Sequence, residues 1–158
     1  MKYAFNTGKQ SGVMLLEALI GILIFSMGIL AIVGLQAASV KNQADAKYRA
    51  DASYFANQII GQMWGDRANL ASYAHYFTPA ITTAAPPGCN PTGAASINAN
   101  VTAWTAKLAA SLPGAAANRQ QIIVNPGAGN QVMVAVCWKA PQDTSYHKHL
   151  AVTYINFN

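Results

Sequence analysis

The most constraining feature of the chain is an apolar run over residues 18–40 that contains no charged residue. As an α-helix rising about 1.5 Å per residue, this run covers the roughly 30 Å hydrocarbon core of a bilayer. Glu17 lies at the entrance to the run. A carboxylate costs about 2.5–3.5 kcal/mol at the middle of a membrane helix on insertion scales, so Glu17 requires a positive partner.

The charges around the run give only a slight preference for its orientation. Lys2 and Lys9 precede the run and favour a cytoplasmic N-terminus, whereas Lys41, Lys47 and Arg49 follow it closely and argue against that orientation. A conventional secretory signal would be cut after the apolar segment, and the small residues that end the run leave that alternative open.

A different signal lies ahead of the run, where Gly12 is followed by four apolar residues and then by Glu17. A cut after Gly12 would create an amine at Val13 that is mostly protonated in neutral water. Val13 and Glu17 are i and i+4, which places them on one helix face about 6 Å apart along the axis. Cleavage would therefore supply the missing positive partner, within the chain or from a neighbouring copy. The alternative is a glutamate that is merely tolerated at the membrane interface.

Residues 10–20, with the sequence QSGVMLLEALI, resemble the class III signal of the type IV pilin superfamily, which includes pseudopilins. In that family a membrane aspartyl peptidase cuts after the glycine and methylates the new first residue, and the glutamate guides the subunit into the growing fibre. The resemblance implies that Gly12 ends the leader, that Val13 is the methylated terminus and that Glu17 is the assembly carboxylate. Val13 stands where the family more often has phenylalanine or methionine.

Further segments of the chain are similar to the PilV subfamily of minor pilins, the type IV pilus modification proteins. These segments are residues 34–39, 48–52, 57–63, 67–69 and 104–114. Where that subfamily often reads Asp-Arg-Met-Arg, this chain has Gly-Gln-Met-Trp at residues 61–64. The resemblance implies a structural subunit that helps to start pilus assembly and lies at or near the tip, without catalysis or a cofactor.

The same resemblance implies the partners and the location of the chain. The partners would be other minor pilins, the major pilin, the prepilin peptidase, the inner-membrane assembly platform and, where one is present, a tip adhesin. Before assembly the chain would be a single-pass inner-membrane protein with its C-terminal head in the periplasm. After assembly it would belong to the pilus fibre at the cell surface.

Two other functions share parts of this pattern. A type II secretion pseudopilin has the same leader and long helix, and a membrane-anchored periplasmic binding protein that never polymerises would have the anchor without the cut. An enzyme is not expected, because the sequence has no nucleophile elbow, phosphate-binding glycine loop or paired acids in its soluble part. The net charge of +5 forms no dense basic stripe, so nucleic-acid binding is not expected either.

A metal site is also not expected. His147 and His149 flank Lys148 and would share one face of a strand. Only Asp143 is placed as a further ligand, and it does not complete a tetrahedral site. A solvated junction between loop and strand is the better interpretation of these histidines.

The periodicity of apolar residues predicts one helix of about 50 residues from Val13 to Asp66. Residues 1–12 would be the leader, residues 13–40 the membrane and polymerisation half of this helix, and residues 41–67 its amphipathic half. No proline interrupts the helix.

The remaining residues, 68–158, are predicted to form the periplasmic head. A loop is expected between Ser72 and Asn100, followed by a short helix that presents Trp104, Leu108 and Leu112 on one face. About three antiparallel strands would close the chain. A sheet this small needs a helix across one face, so the expected class is α+β, a pilin-like fold with the long helix packed on the sheet.

The two cysteines, Cys89 and Cys137, are expected to form a disulfide if the head is exported. A disulfide that closes a loop of about 48 residues stabilises the folded state by roughly 4 kcal/mol in the chain-entropy model. The alternative is a pair of unrelated buried thiols.

Overall fold

The computed structural model describes residues 11–76 and 88–156 of the 158-residue chain, and shows an α+β fold. Its helices and strands are α1 (Ser11–Gly65), α2 (Ala99–Ser111), β1 (Gln121–Asn125), β2 (Gln131–Trp138) and β3 (His147–Tyr154). Three 3₁₀ turns cover Arg67–Tyr73, Ala117–Arg119 and Pro126–Ala128. The prediction of one long N-terminal helix packed on a small antiparallel sheet is confirmed. Most of the predicted leader lies outside the described residues.

The chain divides into two compact units between Gln43 and Ala44. The first unit contains the apolar half of α1, and the second contains the rest of α1 and everything after it. We call the second unit the head. The helix itself is continuous through this division.

The core of the head lies between α1, α2 and the sheet. Helix α1 contributes a stripe of buried apolar side chains to this core, with a helical spacing of three or four residues between most neighbours. The stripe consists of Ala52, Phe55, Ala56, Ile59 and Met63. Trp104 and Leu108 on α2, and Leu112 directly after it, are buried in the same cluster. The indole Nε1 of Trp104 donates to the carbonyl oxygen of Phe55 at 2.9 Å, which joins the two helices.

The three strands form an antiparallel meander in the order β1-β2-β3. The turn between β1 and β2 ends at Gly129 and Asn130, which both have positive φ (66° and 53°). Glycine and asparagine tolerate this left-handed conformation better than other residues. Strand β3 begins at His147, which pairs with Trp138 at the end of β2.

The ends of the helices differ slightly from the prediction. Helix α1 ends at Gly65 rather than Asp66, because the next residues wind as a 3₁₀ turn. Helix α2 begins inside the predicted loop, because the side chain of Asn98 accepts a hydrogen bond from the backbone of Asn100 at 2.9 Å and caps the first turn. The middle of that loop, residues 77–87, lies outside the described residues.

A polar network ties the end of α1 to α2 beside the core. The hydroxyl of Tyr73 donates to Asp66 Oδ2 at 3.2 Å and accepts from Asn100 Nδ2 at 2.7 Å. Burial raises the pKa of Tyr73, because it disfavours the phenolate, although the bond from Asn100 opposes this effect. Tyr73 is therefore a neutral link between the two helices.

Candidate functional site

The predicted cleavage site lies at the beginning of α1. The structure places Gly12 and Val13 in the first turn of the described helix, and Glu17 follows one turn later. An added Cβ at Gly12 would have no neighbouring atom within 4 Å, so space does not explain the glycine. Glycine weakens a helix by about 1 kcal/mol relative to alanine, so it makes this turn easier to extend in a protease.

Glu17 and Val13 are both exposed to solvent, and Val13 is 67% exposed. Within residues 11–76 and 88–156, no hydrogen bond or ion pair reaches the Glu17 carboxylate. The i, i+4 spacing on one continuous helix matches the sequence-based expectation. The Glu17 carboxylate is therefore available to bind a positively charged group at the N-terminal end of the apolar segment.

No part of the described chain covers any face of the apolar half of α1. Its large side chains are all at least 46% exposed, and they include Leu15, Leu19, Phe25 and Leu30. A helix that is apolar all round is a buried core helix or a membrane span, and this one is not buried within the chain. By length and composition it is able to cross a membrane.

One polar side chain in the middle of the apolar half is bonded within the helix. The hydroxyl of Ser26 donates to the carbonyl oxygen of Ile22 at 2.7 Å, so it needs no partner from outside the helix. The helix also continues without a break through Gly34. Glu17 is the one charged side chain between residues 11 and 40.

Cys89 and Cys137 form a disulfide, with 5.6 Å between their Cα atoms. Cys137 is buried on β2, and Cys89 belongs to the segment that leads to α2. The guanidinium of Arg119 holds the same segment, because Nη1 donates to the Cys89 carbonyl oxygen at 3.1 Å and to Asn90 Oδ1 at 3.0 Å. The predicted pairing is confirmed, and it fastens the loop to the sheet.

The imidazole of His147 is held by its neighbours. Its Nε2 lies 2.8 Å from Asp143 Oδ2, and its ring stacks on Trp138 with 5.5 Å between centroids. The described parts of the chain contain no group of three His, Cys, Asp or Glu side chains that is able to hold a metal ion. His147 therefore has a structural explanation at the junction between loop and strand, where it is less solvated than the sequence suggests.

His75 is the residue whose importance the sequence did not indicate. It is only 3% exposed, its Nδ1 accepts from the Ser96 backbone N–H at 3.0 Å, and its Nε2 lies 3.1 Å from the Ala117 carbonyl oxygen. This pattern requires the neutral tautomer with the proton on Nε2. Burial lowers the pKa of His75, and the bond to Ala117 opposes that shift only in part. The ring joins three segments that are far apart in sequence.

Comparison of the chain with protein-family models, with curated proteins and with solved structures found no match.

Proposed function

We propose that the chain is a prepilin that becomes a minor pilin of a type IV pilus. The peptidase cuts after Gly12 and methylates Val13, residues 13–40 hold the subunit in the inner membrane, and the head lies in the periplasm until assembly. The observation that carries this proposal is the Glu17 carboxylate, one helical turn after Val13 in the apolar half of α1, which has no partner among the described residues.

The exposed apolar half of α1 supports the proposal energetically. Removing a large apolar side chain from water contributes about 1.5–3 kcal/mol, so this half of the helix must be covered. Lipid covers it before assembly, and the helices of neighbouring subunits cover it in a fibre. Transfer of the helix from lipid to the helices of neighbouring subunits changes its hydrophobic free energy little. Subunits are therefore able both to enter the fibre and to return to the membrane.

Glu17 favours transfer of the helix from lipid into the fibre. In lipid the carboxylate is costly, and a neighbouring subunit offers the protonated amine of its own Val13 at the same depth. An amine and a carboxylate that meet away from water form a charge-assisted hydrogen bond, which is stronger than a neutral one. The pair therefore favours the fibre over the isolated subunit and fixes the axial register between neighbours.

The head is suited to an exported structural subunit. The disulfide closes a 48-residue separation in a small domain, and such bonds persist in oxidising compartments. No reaction is required of the head in this proposal. Its role is to present a surface to other minor pilins, to the major pilin and to a tip adhesin where one is present.

The proposal is tested with Gly12→Ala in cells that contain the prepilin peptidase. The wild-type chain should lose its leader and migrate faster on a gel than the variant, which should remain uncut. Since the added methyl group meets no neighbouring atom, failure to be cut would reflect recognition and not misfolding. Equal mobility of the two chains would contradict the proposal and favour an anchored protein that does not polymerise.

A further inference from the structure

We propose that the folded head opens and closes its disulfide by thiol exchange at one sulfur only, that of Cys89, with Cys137 as the resolving thiol. The exchange partner is a compound of the disulfide or dithiol class, which forms a transient mixed disulfide with Cys89. The proposal concerns the head alone and does not depend on cleavage at Gly12. It follows from the different surroundings of the two cysteines.

The two cysteines differ in how far solvent reaches them. Cys137 lies near the end of β2 and is 0% exposed. Cys89 is partly exposed, and its neighbours Gly88 and Asn90 are both exposed. Thiol exchange requires the attacking sulfur to contact the sulfur that it attacks, so access limits the rate. A thiol from outside the folded head therefore reaches Cys89 and not Cys137.

The backbone of Cys137 is held firmly inside the head. Its N–H donates to Gln120 Oε1 at 2.8 Å, and its carbonyl oxygen accepts from Gln120 Nε2 at 3.0 Å. Gln120 is itself fully buried, and β2 is the middle strand of the sheet. Moving Cys137 towards solvent would break these bonds together with the pairing of β2. Its sulfur is thus protected as long as the head is folded.

The position of Cys89 does not depend on the disulfide alone. Arg119 Nη1 donates to the Cys89 carbonyl oxygen at 3.1 Å and to Asn90 Oδ1 at 3.0 Å. Further along the same segment, the Ala94 carbonyl oxygen accepts from the Tyr76 N–H at 2.8 Å. These hydrogen bonds do not involve the sulfur atoms, so they hold the segment beside the sheet after reduction as well. The two thiols therefore stay close together, and the resolving step is intramolecular.

Charge adds to the difference in access. The guanidinium of Arg119 is permanently charged and is bonded to the same residue, Cys89. A nearby cation favours the thiolate, which is the nucleophilic form, whereas apolar burial favours the neutral thiol at Cys137. Lys148 lies opposite Cys137 on β3, but it is exposed, so water screens its charge. Both access and charge therefore make Cys89 the more reactive cysteine.

Oxidation of the reduced head proceeds in two balanced steps. The Cys89 thiolate attacks one sulfur of the partner's disulfide, and the other sulfur of the partner leaves as a thiolate. The Cys137 thiolate then attacks the Cys89 sulfur, forms the disulfide of the head and expels the remaining thiolate of the partner. The head loses two electrons and two protons, and the partner's disulfide gains them as two thiols. Reduction is the reverse, so the incoming thiolate attacks Cys89 and Cys137 is the leaving group.

The first experiment measures the two thiols one at a time in the full-length chain in detergent. Cys137→Ser leaves only Cys89, and the matched control Cys89→Ser leaves only Cys137. Each chain is mixed with glutathione disulfide, and the mass added by one glutathione is followed with time. In the folded chains Cys89 should react at least about tenfold faster than Cys137. In urea that unfolds both chains, the two rates should agree within about twofold.

The second experiment uses the wild-type chain, which does not depend on how a serine variant folds. Reduced glutathione is added, exchange is stopped with acid, and the free thiols are alkylated after unfolding. The mixed disulfide should carry glutathione on Cys89 and the alkyl group on Cys137. The rate of opening should not change in urea well below the unfolding midpoint, because the reaction at Cys89 does not require the head to unfold.

Three results would overturn the inference. One is a Cys89 thiol in folded Cys137→Ser that does not exceed the Cys137 thiol of folded Cys89→Ser by the expected factor. Another is wild-type chain that carries glutathione on Cys137 as often as on Cys89. The third is a wild-type disulfide that opens only in urea that unfolds the head. If a serine variant does not fold, the wild-type experiment decides.

Discussion

Replacing His75 by alanine should destabilise the head, although no proposed function involves this residue. The substitution removes one acceptor at 3.0 Å from the Ser96 N–H and one donor at 3.1 Å from the Ala117 carbonyl oxygen. Each lost hydrogen bond costs about 0.5–1.5 kcal/mol net, and each partner left unsatisfied in a buried position costs about 1–3 kcal/mol. Together these terms give an expected total loss of about 2–4 kcal/mol.

The same residue should make stability depend on pH, with a definite sign. The pKa of His75 is lower in the folded head than its ordinary value of 6.5, chiefly because burial disfavours the charged ring. Protonation would also place a proton on Nδ1 against the Ser96 N–H. Well above pH 6.5 the His75 ring is neutral in both the folded head and the unfolded chain, and its contribution to the free energy of unfolding is fully present. As the pH falls below 6.5, the unfolded chain takes up a proton that the folded head excludes.

The assay is urea unfolding of the full chain in detergent, followed by tryptophan fluorescence between about pH 7 and pH 5. The wild-type free energy of unfolding should fall by up to about 1.4 kcal/mol per pH unit through His75 as the pH drops towards its folded pKa. His75→Ala should lose this contribution to the slope. The control is His149→Ala, which removes a half-buried histidine on β3. Equal slopes in wild type and His75→Ala, or a loss of stability below about 0.5 kcal/mol, would refute this account.

Three further variants test other parts of the structure. The double variant Cys89→Ser, Cys137→Ser should lose about 4 kcal/mol of unfolding free energy in urea, because it releases a loop of 48 residues, and a loss near zero would contradict the entropic argument. Trp104→Phe should lower the free energy of unfolding by about 1–3 kcal/mol, since it leaves the Phe55 carbonyl oxygen without its donor, and an unchanged midpoint would mean that this bond is dispensable. Glu17→Ala should still be processed but should no longer co-purify with other minor pilins, and undiminished co-purification would argue against the pairing of amine and carboxylate.

Much of the fold was predictable because it follows from local patterns. The apolar run and the stripe from Ala52 to Met63 predict α1, since they repeat at the period of a helix over many turns. Alternating valines at Val132, Val134 and Val136 predict β2 in the same way. The disulfide followed from the even number of cysteines together with an expected export.

Other features were not predictable, because they depend on contacts between residues distant in sequence. His75 lies 42 residues from Ala117, and no local pattern distinguishes it from an exposed histidine. The position of β3 at one side of the sheet depends on strand order, which alternation within one strand does not reveal. The helix boundary at Gly65 depends on the 3₁₀ turn that follows it, and short turns of this kind have weak sequence signals.

The central claim is that cleavage at one peptide bond creates the amine that Glu17 requires. The most direct measurement is the mass of the N-terminal peptide of the mature chain, isolated from the envelope of cells that carry the peptidase. The account predicts a peptide that begins at Val13 and carries the mass of one added methyl group. A peptide that begins at Met1, or one that begins after the apolar run, would contradict it.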